Sequence, residues 1–412
     1  MKRSLLVLVC VLAIFFFGFG NVFAQEKPLE PNIQEYDIYL TPPTEELEYE
    51  ITSVTKTPSF QLGIVTHWAI GHHLDMVVQI GIPWVRTGVG WDFIEPELTE
   101  PPTYQWDIAD KIVADCRVRN LKILWGLAYT PSWASDNGQK NGVPRSSVAQ
   151  EHWRKFVKAV VQRYQNDIDY FDVWNEPNNE KFWLGSVNDY FDFILKPAWE
   201  EIKAIDPNKK IVAPTLETNR GTHIKVEDFF SRLAKLNGAN YIDILSQNVY
   251  EDKPEEVIRQ FEKGDYECFL RILCFKKRSS LFTIYRKNGF ANHPVWVTEF
   301  GWKSNKVGEG HQAVYLVDTI ERFSRRPRFQ NAFIYSLMDD DRFPQKWGVM
   351  RGDETPKKAF WLLKDFCAQS GFYSIDYGQL SEVDCDGYGN NVFVPSQKDS
   401  PSPLYLVPKP IK

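Results

Sequence analysis

The stretch Val148-AQEHWRKFVKAVVQRYQNDIDYFDVWNEP-Asn178 holds, in order, an amphipathic helix, a buried strand and a carboxylate where the strand ends. Trp153, Phe156, Val157, Val160, Val161 and Tyr164 recur at spacings of three and four, which is one face of a helix. After a polar break, Tyr170–Trp174 is a short apolar run suited to a strand. Glu176 follows at its end, with Pro177 behind it. Outward from this unit the alternation repeats. Strand-like runs stand at Leu62–Thr66, Trp84–Thr87, Lys122–Leu127, Ile211–Pro214, Ile242–Gln247, Val295–Glu299 and Ala332–Ser336. Helical stretches suit Leu74–Ile80, Ile108–Val118, Tyr190–Ile205, Asp228–Leu236, Gln312–Phe323 and Lys357–Phe366. Eight strands alternating with helices predict an α/β chain folded as a (β/α)8 TIM barrel over residues 58–367. A doubly wound sheet alternates likewise, but no Gly-x-Gly-x-x-Gly follows the first strand.

The flanks read differently. Lys2 and Arg3, the apolar run Leu5–Phe19 and Asn-Val-Phe-Ala24 make a cleaved secretory signal over residues 1–24. The run is short for a membrane span, so a secreted or periplasmic protein without stable membrane insertion is expected. Residues 25–57 are polar and acidic, a flexible leader. Residues 368–412 are punctuated by Gly and Pro, a short C-terminal extension expected to pack on the barrel. Residues Phe261–Lys287 form an insertion between strands six and seven.

Loss of Lys2 and Arg3 from 48 Lys+Arg leaves 46 against 54 Asp+Glu. That balance argues against a nucleic-acid partner, which would want clustered cations. Fourteen Trp exceed what a core of this size needs, which matters because sugars stack their C–H faces on aromatic rings. Of the five cysteines beyond Cys10, Cys268–Cys274 and Cys367–Cys385 are the sequence-near pairs, and spacing alone does not fix connectivity. Cys116 is left over as a buried thiol.

In such a barrel the active site lies at the C-terminal ends of the strands. Strand four ends Trp174-Asn175-Glu176-Pro177 and strand seven ends Val297-Thr298-Glu299-Phe300-Gly301-Trp302. Two glutamates therefore leave strand ends on opposite sides of one mouth. Such a pair suits glycosidic cleavage. At a carboxyl separation of about 5–5.5 Å one group protonates the leaving oxygen while the other attacks the anomeric carbon; at about 6.5–9.5 Å a water fits between and the outcome inverts.

Trp174-Asn-Glu-Pro-Asn178 resembles the strand-four motif of glycoside hydrolase clan A, and Trp296-Val-Thr-Glu-Phe-Gly-Trp302 resembles its strand-seven motif. The likeness extends to Trp84-Val-Arg86, Ile94-Glu-Pro96, Tyr104-Gln-Trp-Asp107, Tyr129-Thr-Pro-Ser-Trp133, Gln247-Asn-Val-Tyr250 and Lys346-Trp-Gly-Val349, with family 39 as the nearest pattern. The resemblance implies Glu176 as acid/base and Glu299 as nucleophile. It implies Asn175 on the sugar 2-hydroxyl, with Arg86 and Tyr250 beside Glu299. Asn248 stands where the clan carries His, and strand eight runs Tyr335-Ser-Leu-Met-Asp339 where a Trp often floors the site. Trp133, Trp183 and Trp302 are stacking candidates, and His67 and Trp68 at the end of strand one are pocket-lining candidates.

No cofactor and no metal is expected. His72-His73 shows no third ligand at usable spacing, and Asp339-Asp340-Asp341 reads as a polar strand-eight loop. The expected function is a retaining β-glycoside hydrolase of an extracellular polysaccharide or oligosaccharide. The rivals are a catalytically inactive carbohydrate-binding barrel and an exo-acting enzyme of β-xylosidase or β-glucosidase type.

Overall fold

A computed structural model of the chain describes residues 60–218, 222–263, 266–269, 273–277 and 279–370. The signal, the leader, nearly all of the C-terminal extension and Cys385 lie outside the described residues. Eight parallel strands close into a barrel. They are β1 (Gln61–His67), β2 (Trp84–Thr87), β3 (Lys122–Leu127), β4 (Tyr170–Val173), β5 (Lys210–Glu217), β6 (Ile244–Asn248), β9 (Val295–Phe300) and β10 (Phe329–Ile334). β1 pairs with both β2 and β10, which closes the ring. The expected barrel is therefore observed, with β9 and β10 as its seventh and eighth strands.

The principal helices are α1 (His72–Ile80), α2 (Asp107–Val118), α3 (Ser147–Arg163), α4 (Lys196–Ile205), α5 (Val226–Lys235), α6 (Pro254–Glu262), α7 (Leu281–Lys287), α8 (Glu309–Ser324) and α9 (Lys358–Ser370). α3 shows why they form. The Ser146 hydroxyl accepts from the Ala149 N–H at its start, and Trp153, Phe156, Val157, Val160 and Val161 are buried along one stripe. The expected insertion contains the antiparallel hairpin β7 (Tyr266–Phe269) and β8 (Leu273–Lys277), then α7. Its register sets Cys268 opposite Cys274. Cys116 is buried on α2, as expected, and burial pushes its thiol up to about 12.

One buried cluster takes Val65, Trp84, Leu124, Val212, Ile244, Trp296 and Phe333, one residue from each of seven strands, with Tyr170 of the eighth packed on it. Only the barrel lumen can bring those strands together. Trp84, Tyr170 and Trp296 touch edge-on or stacked at 5.0–5.2 Å between ring centroids. Side chains on a strand alternate faces, so Arg86, Asp172 and Thr298 point the same way as Trp84, Tyr170 and Trp296, one layer nearer the mouth. An aromatic floor thus carries a polar layer.

Candidate active site

The polar layer is built from strand residues that have no solvent. Arg86 of β2 donates from Nε to Asp172 of β4 at 2.7 Å, and the Thr215 hydroxyl of β5 donates to the other Asp172 oxygen at 2.5 Å. Thr215 in turn meets Ser246 of β6 at 2.7 Å. Burial alone would lower the Arg86 pKa, but Asp172 and Glu299 together hold it above its ordinary value. The guanidinium is therefore a fixed positive charge in the lumen, and its remaining donors point at the strand ends.

Those ends are where the backbone departs from regular geometry. Trp174, Glu176 and Thr215 have φ of 72°, 49° and 48°, a left-handed region that side chains with a Cβ seldom occupy. Trp174 leaves the strand there, which is why β4 stops at Val173, one residue short of the expected end. The Glu176 N–H donates to the Thr215 carbonyl at 2.9 Å, fixing the turn. On the other side the β6–β9 register slips just where Asn248 faces Glu299, an irregularity that re-aims the last side chains of both strands.

The two glutamates end in different settings. Glu299, 8% exposed, takes the Arg86 guanidinium on Oε1 at 2.5 Å and the Tyr250 hydroxyl on Oε2 at 2.6 Å. Arg86 also donates to Asn175 Oδ1 at 3.0 Å. Glu176, 5% exposed, accepts from Asn248 Nδ2 at 2.9 Å and from Asn179 Nδ2 at 3.1 Å, and no cation among the described residues pairs with it. Burial first, then the charges of Glu299 and Glu217, push its pKa up to about 8. Asn248 itself is fixed by Thr298, whose hydroxyl donates to its Oδ1 at 2.9 Å. The sequence resemblance would place a His here; the carboxamide of Asn248 positions Glu176 with a donor that does not titrate.

The structure brings Arg86, Asn175, Glu176, Asn248, Tyr250 and Glu299 into one hydrogen-bonded cluster. His67 stands at the end of β1, exposed on its outer side and edge-on to Tyr335 at 5.6 Å; partial desolvation by the surrounding residues lowers its pKa. The tryptophans fare differently. Trp302 is 4% exposed, gives its indole N–H to the Asp252 carbonyl and packs on Tyr315. Trp183 is fully buried against Trp174. Neither offers a face to a sugar, which corrects the expectation for both. Trp133 is half-buried, bonded to the Glu95 carbonyl and edge-on to Trp91 and His152. The rim is instead furnished by Trp68, 39% exposed, and Phe93, 52% exposed, in edge contact at 4.6 Å.

Two features escaped the sequence reading. Asn179 bridges Glu176 to Glu217, donating to the latter at 2.7 Å, and Asn178 holds the Glu217 backbone at 2.9 and 3.0 Å. The run Asn178-Asn179 just after the acid motif was the available signal. Trp347, from the loop after β10, stands 4.9 Å from the Tyr250 ring and 5.8 Å from Tyr335, in the quarter where a strand-eight Trp was missing. The Asp339-Asp340-Asp341 run is matched by cations of this chain, Lys357, Arg342 and Lys346 respectively, which bears out the plain reading of a polar loop.

Comparison with known proteins agrees with this fold. Residues 88–243 match the Glycosyl hydrolase family 10 model, a segment that includes Asn175 and Glu176 but ends before Glu299. A beta-xylosidase of Geobacillus stearothermophilus is 20% identical over 301 residues, which cover 68% of this chain and 59% of that protein. This chain thus spans about three fifths of the relative's length. Among solved structures, a family 39 glycoside hydrolase from Bacteroides cellulosilyticus WH2 superposes with a TM-score of 0.58 at 19% identity, covering 76% of this chain and 63% of that one. A monomeric beta-xylosidase from Caulobacter crescentus CB15 gives 0.59 at 16% identity, with 77% and 70% covered. In fold, this chain is a closed (β/α)8 barrel similar to the family 39 glycoside hydrolases, and it carries a family 10 sequence signature across the strands that bear Glu176.

Proposed function

We propose that this chain is a retaining β-glycoside hydrolase with Glu176 as acid/base and Glu299 as nucleophile. The observation that carries the reading is the asymmetry of two buried carboxyls on one mouth. Glu299 lies between a fixed guanidinium and a phenol, which hold its carboxyl in place. Glu176 is buried beside two carboxylates, which favours its protonated form at neutral pH against the opposing pull of its carboxamide donors. Two carboxyls in such different surroundings divide into acid and nucleophile.

Glu176 gives its proton to the leaving glycosidic oxygen while a Glu299 oxygen attacks the anomeric carbon, so one C–O bond breaks as another forms. Arg86 and Tyr250 hold the attacking carboxylate in place. Formation of the glycosyl ester consumes the Glu299 charge, and Glu176 then loses part of what raised its pKa. It can take a proton from water, whose oxygen attacks the anomeric carbon and frees Glu299. Asn175, held at the Arg86 guanidinium, is suited to the sugar 2-hydroxyl.

The substrate class in this reading is a β-linked extracellular polysaccharide or oligosaccharide. Xylose-type glycosides are the first to test, given the names of the similar proteins. The exposed pair Trp68 and Phe93 supports a chain that extends beyond the cleavage point. The N-terminal pattern supports export through a cleaved signal, which N-terminal sequencing of the secreted protein tests.

The decisive experiment separates the carboxyls. Glu299→Gln should lose several orders of magnitude on aryl and natural glycosides alike, because no other group can form the ester. Glu176→Ala should still cleave an aryl glycoside with a good leaving group, then stall, and azide should rescue it to a β-glycosyl azide. An α-azide from that variant, or β-azide rescue of Glu299→Ala alone, would mean the roles are reversed. Wild-type protein that binds oligosaccharides but cleaves none would favour the inactive binding barrel.

A further inference from the structure

One side-chain cluster has no part in the chemistry above. α1 opens with His72 and His73, directly after Gly71. Facing them is a tight turn in the loop after β10. There the Glu354 N–H donates to the Arg351 carbonyl at 3.0 Å and the Arg351 N–H donates to the Thr355 carbonyl at 2.9 Å, which presents Glu354 at the tip. His72 Nε2 lies 3.0 Å from Glu354 Oε2, and His73 Nε2 lies 3.0 Å from Glu354 Oε1. The three donor groups fall within 4.8 Å of one another. The spacing of His72-His73 showed no third ligand because Glu354 is 282 residues away and only the fold supplies it.

We propose that His72, His73 and Glu354 bind one divalent transition-metal ion of the zinc class. Two imidazole nitrogens and one carboxylate oxygen are a known tridentate donor set for zinc, with bonds of about 2.0–2.2 Å and water completing the shell. Around a tetrahedral ion, bonds of that length set neighbouring donor atoms roughly 3.3 Å apart, close to the two His–Glu separations of 3.0 Å. Side-chain exposures of 57%, 24% and 40% leave an open side for water. Imidazole donors select against magnesium and calcium, which want oxygen ligands. A simple ion pair would need one histidine. Here two rings, 4.2 Å apart between centroids, turn their Nε2 atoms to the same carboxylate.

The position gives the ion a role. His72 and His73 close the β1–α1 connection, which carries Trp68, and Glu354 belongs to the β10–α9 connection, which carries Trp347. β1 and β10 are neighbours in the barrel, so the two connections are adjacent at the mouth. The ion clasps them together and stiffens the rim without touching the reacting carboxyls.

The test uses the full chain after chelator treatment. Zinc titrated calorimetrically should bind one to one, with magnesium and calcium failing to compete, and should raise Tm by several degrees. His72→Gln/His73→Gln and, separately, Glu354→Gln should each weaken zinc at least about tenfold and abolish the Tm gain, with unchanged circular dichroism. Copper(II) paramagnetic resonance on the unmodified chain should show nitrogen coupling from two imidazoles, which keeps the assignment testable if a variant fails to fold. Absence of one-to-one zinc uptake, uptake that survives all these substitutions, or a copper spectrum without nitrogen coupling would overturn the site. Turnover of an aryl β-glycoside plays no part in these readouts, so the metal site and the hydrolase reading can fail independently.

Discussion

Asn248 donates to Glu176 Oε1 and accepts from Thr298, so a side chain that never titrates tempers the proton affinity of the acid. Its donor favours the ionised form and opposes the upward push of burial and of the Glu299 and Glu217 charges. Chemistry that needs a protonated Glu176 is lost as pH rises through its pKa, so kcat/KM on a substrate with a poor leaving group should fall on the alkaline side near pH 8. Asn248→Ala removes a donor to the carboxylate, so the pKa should rise and the alkaline limb should move to higher pH. A limb that stays put or moves down would remove Asn248 from this role.

The loop between β10 and α9 is the element that finishes the site, and its anchor is a buried ion pair. Lys357 Nζ lies 2.8 Å from Asp339 Oδ2, with both side chains 4% exposed or less, and it also donates to the Ser304 hydroxyl at 2.9 Å. Asp339 accepts from the Gly348 N–H at 2.8 Å, next to Trp347. Gly301 lets this loop approach, since a Cβ there would stand 2.4 Å from the Tyr335 carbonyl oxygen. Lys357→Met leaves a buried carboxylate unpaired and should cost about 3–5 kcal/mol in denaturant unfolding. Lys357→Met/Asp339→Leu should recover part of that loss, and a double variant worse than the single would refute the pairing argument. The sequence showed the strands that carry Glu176 and Glu299 because period, strand formers and a terminal carboxylate are local signals. It could not tell Trp302 and Trp183 from sugar platforms, because an indole reads the same whether it packs inward or faces the mouth. Trp347 was misjudged for a related reason: it reaches the site from a loop, 12 residues past the place on strand eight where a Trp was sought. Glu217 and Glu354 were missed because their partners come from other strands and loops, through contacts that only barrel closure creates.

At the scale of the whole barrel, the site is held against the preference of its own charges. An aromatic floor and a closed ring of strands bury Glu176 beside two other carboxylates, and the fold absorbs the cost. The sign follows from linkage. The folded pKa of about 8 lies above that of an unfolded glutamate, about 4.3, so the native state holds its proton more tightly. The stability tied to that proton is fully present below the unfolded pKa and is lost as pH rises to the folded one. Glu176→Gln keeps the size and the polar contacts but has no proton to lose. Its Tm should therefore match wild type near pH 4 and exceed it by a growing margin up to about pH 8, beyond which the difference levels off. Subtracting wild type at each pH cancels the titration of groups that Glu176 does not touch, so the slope belongs to Glu176 and the carboxylates coupled to it. A Tm difference that is flat across this range, or that shrinks as pH rises, would show that the carboxyl is not held protonated by the fold. The same variant loses its general acid, so greater stability and lost turnover should appear together in one protein.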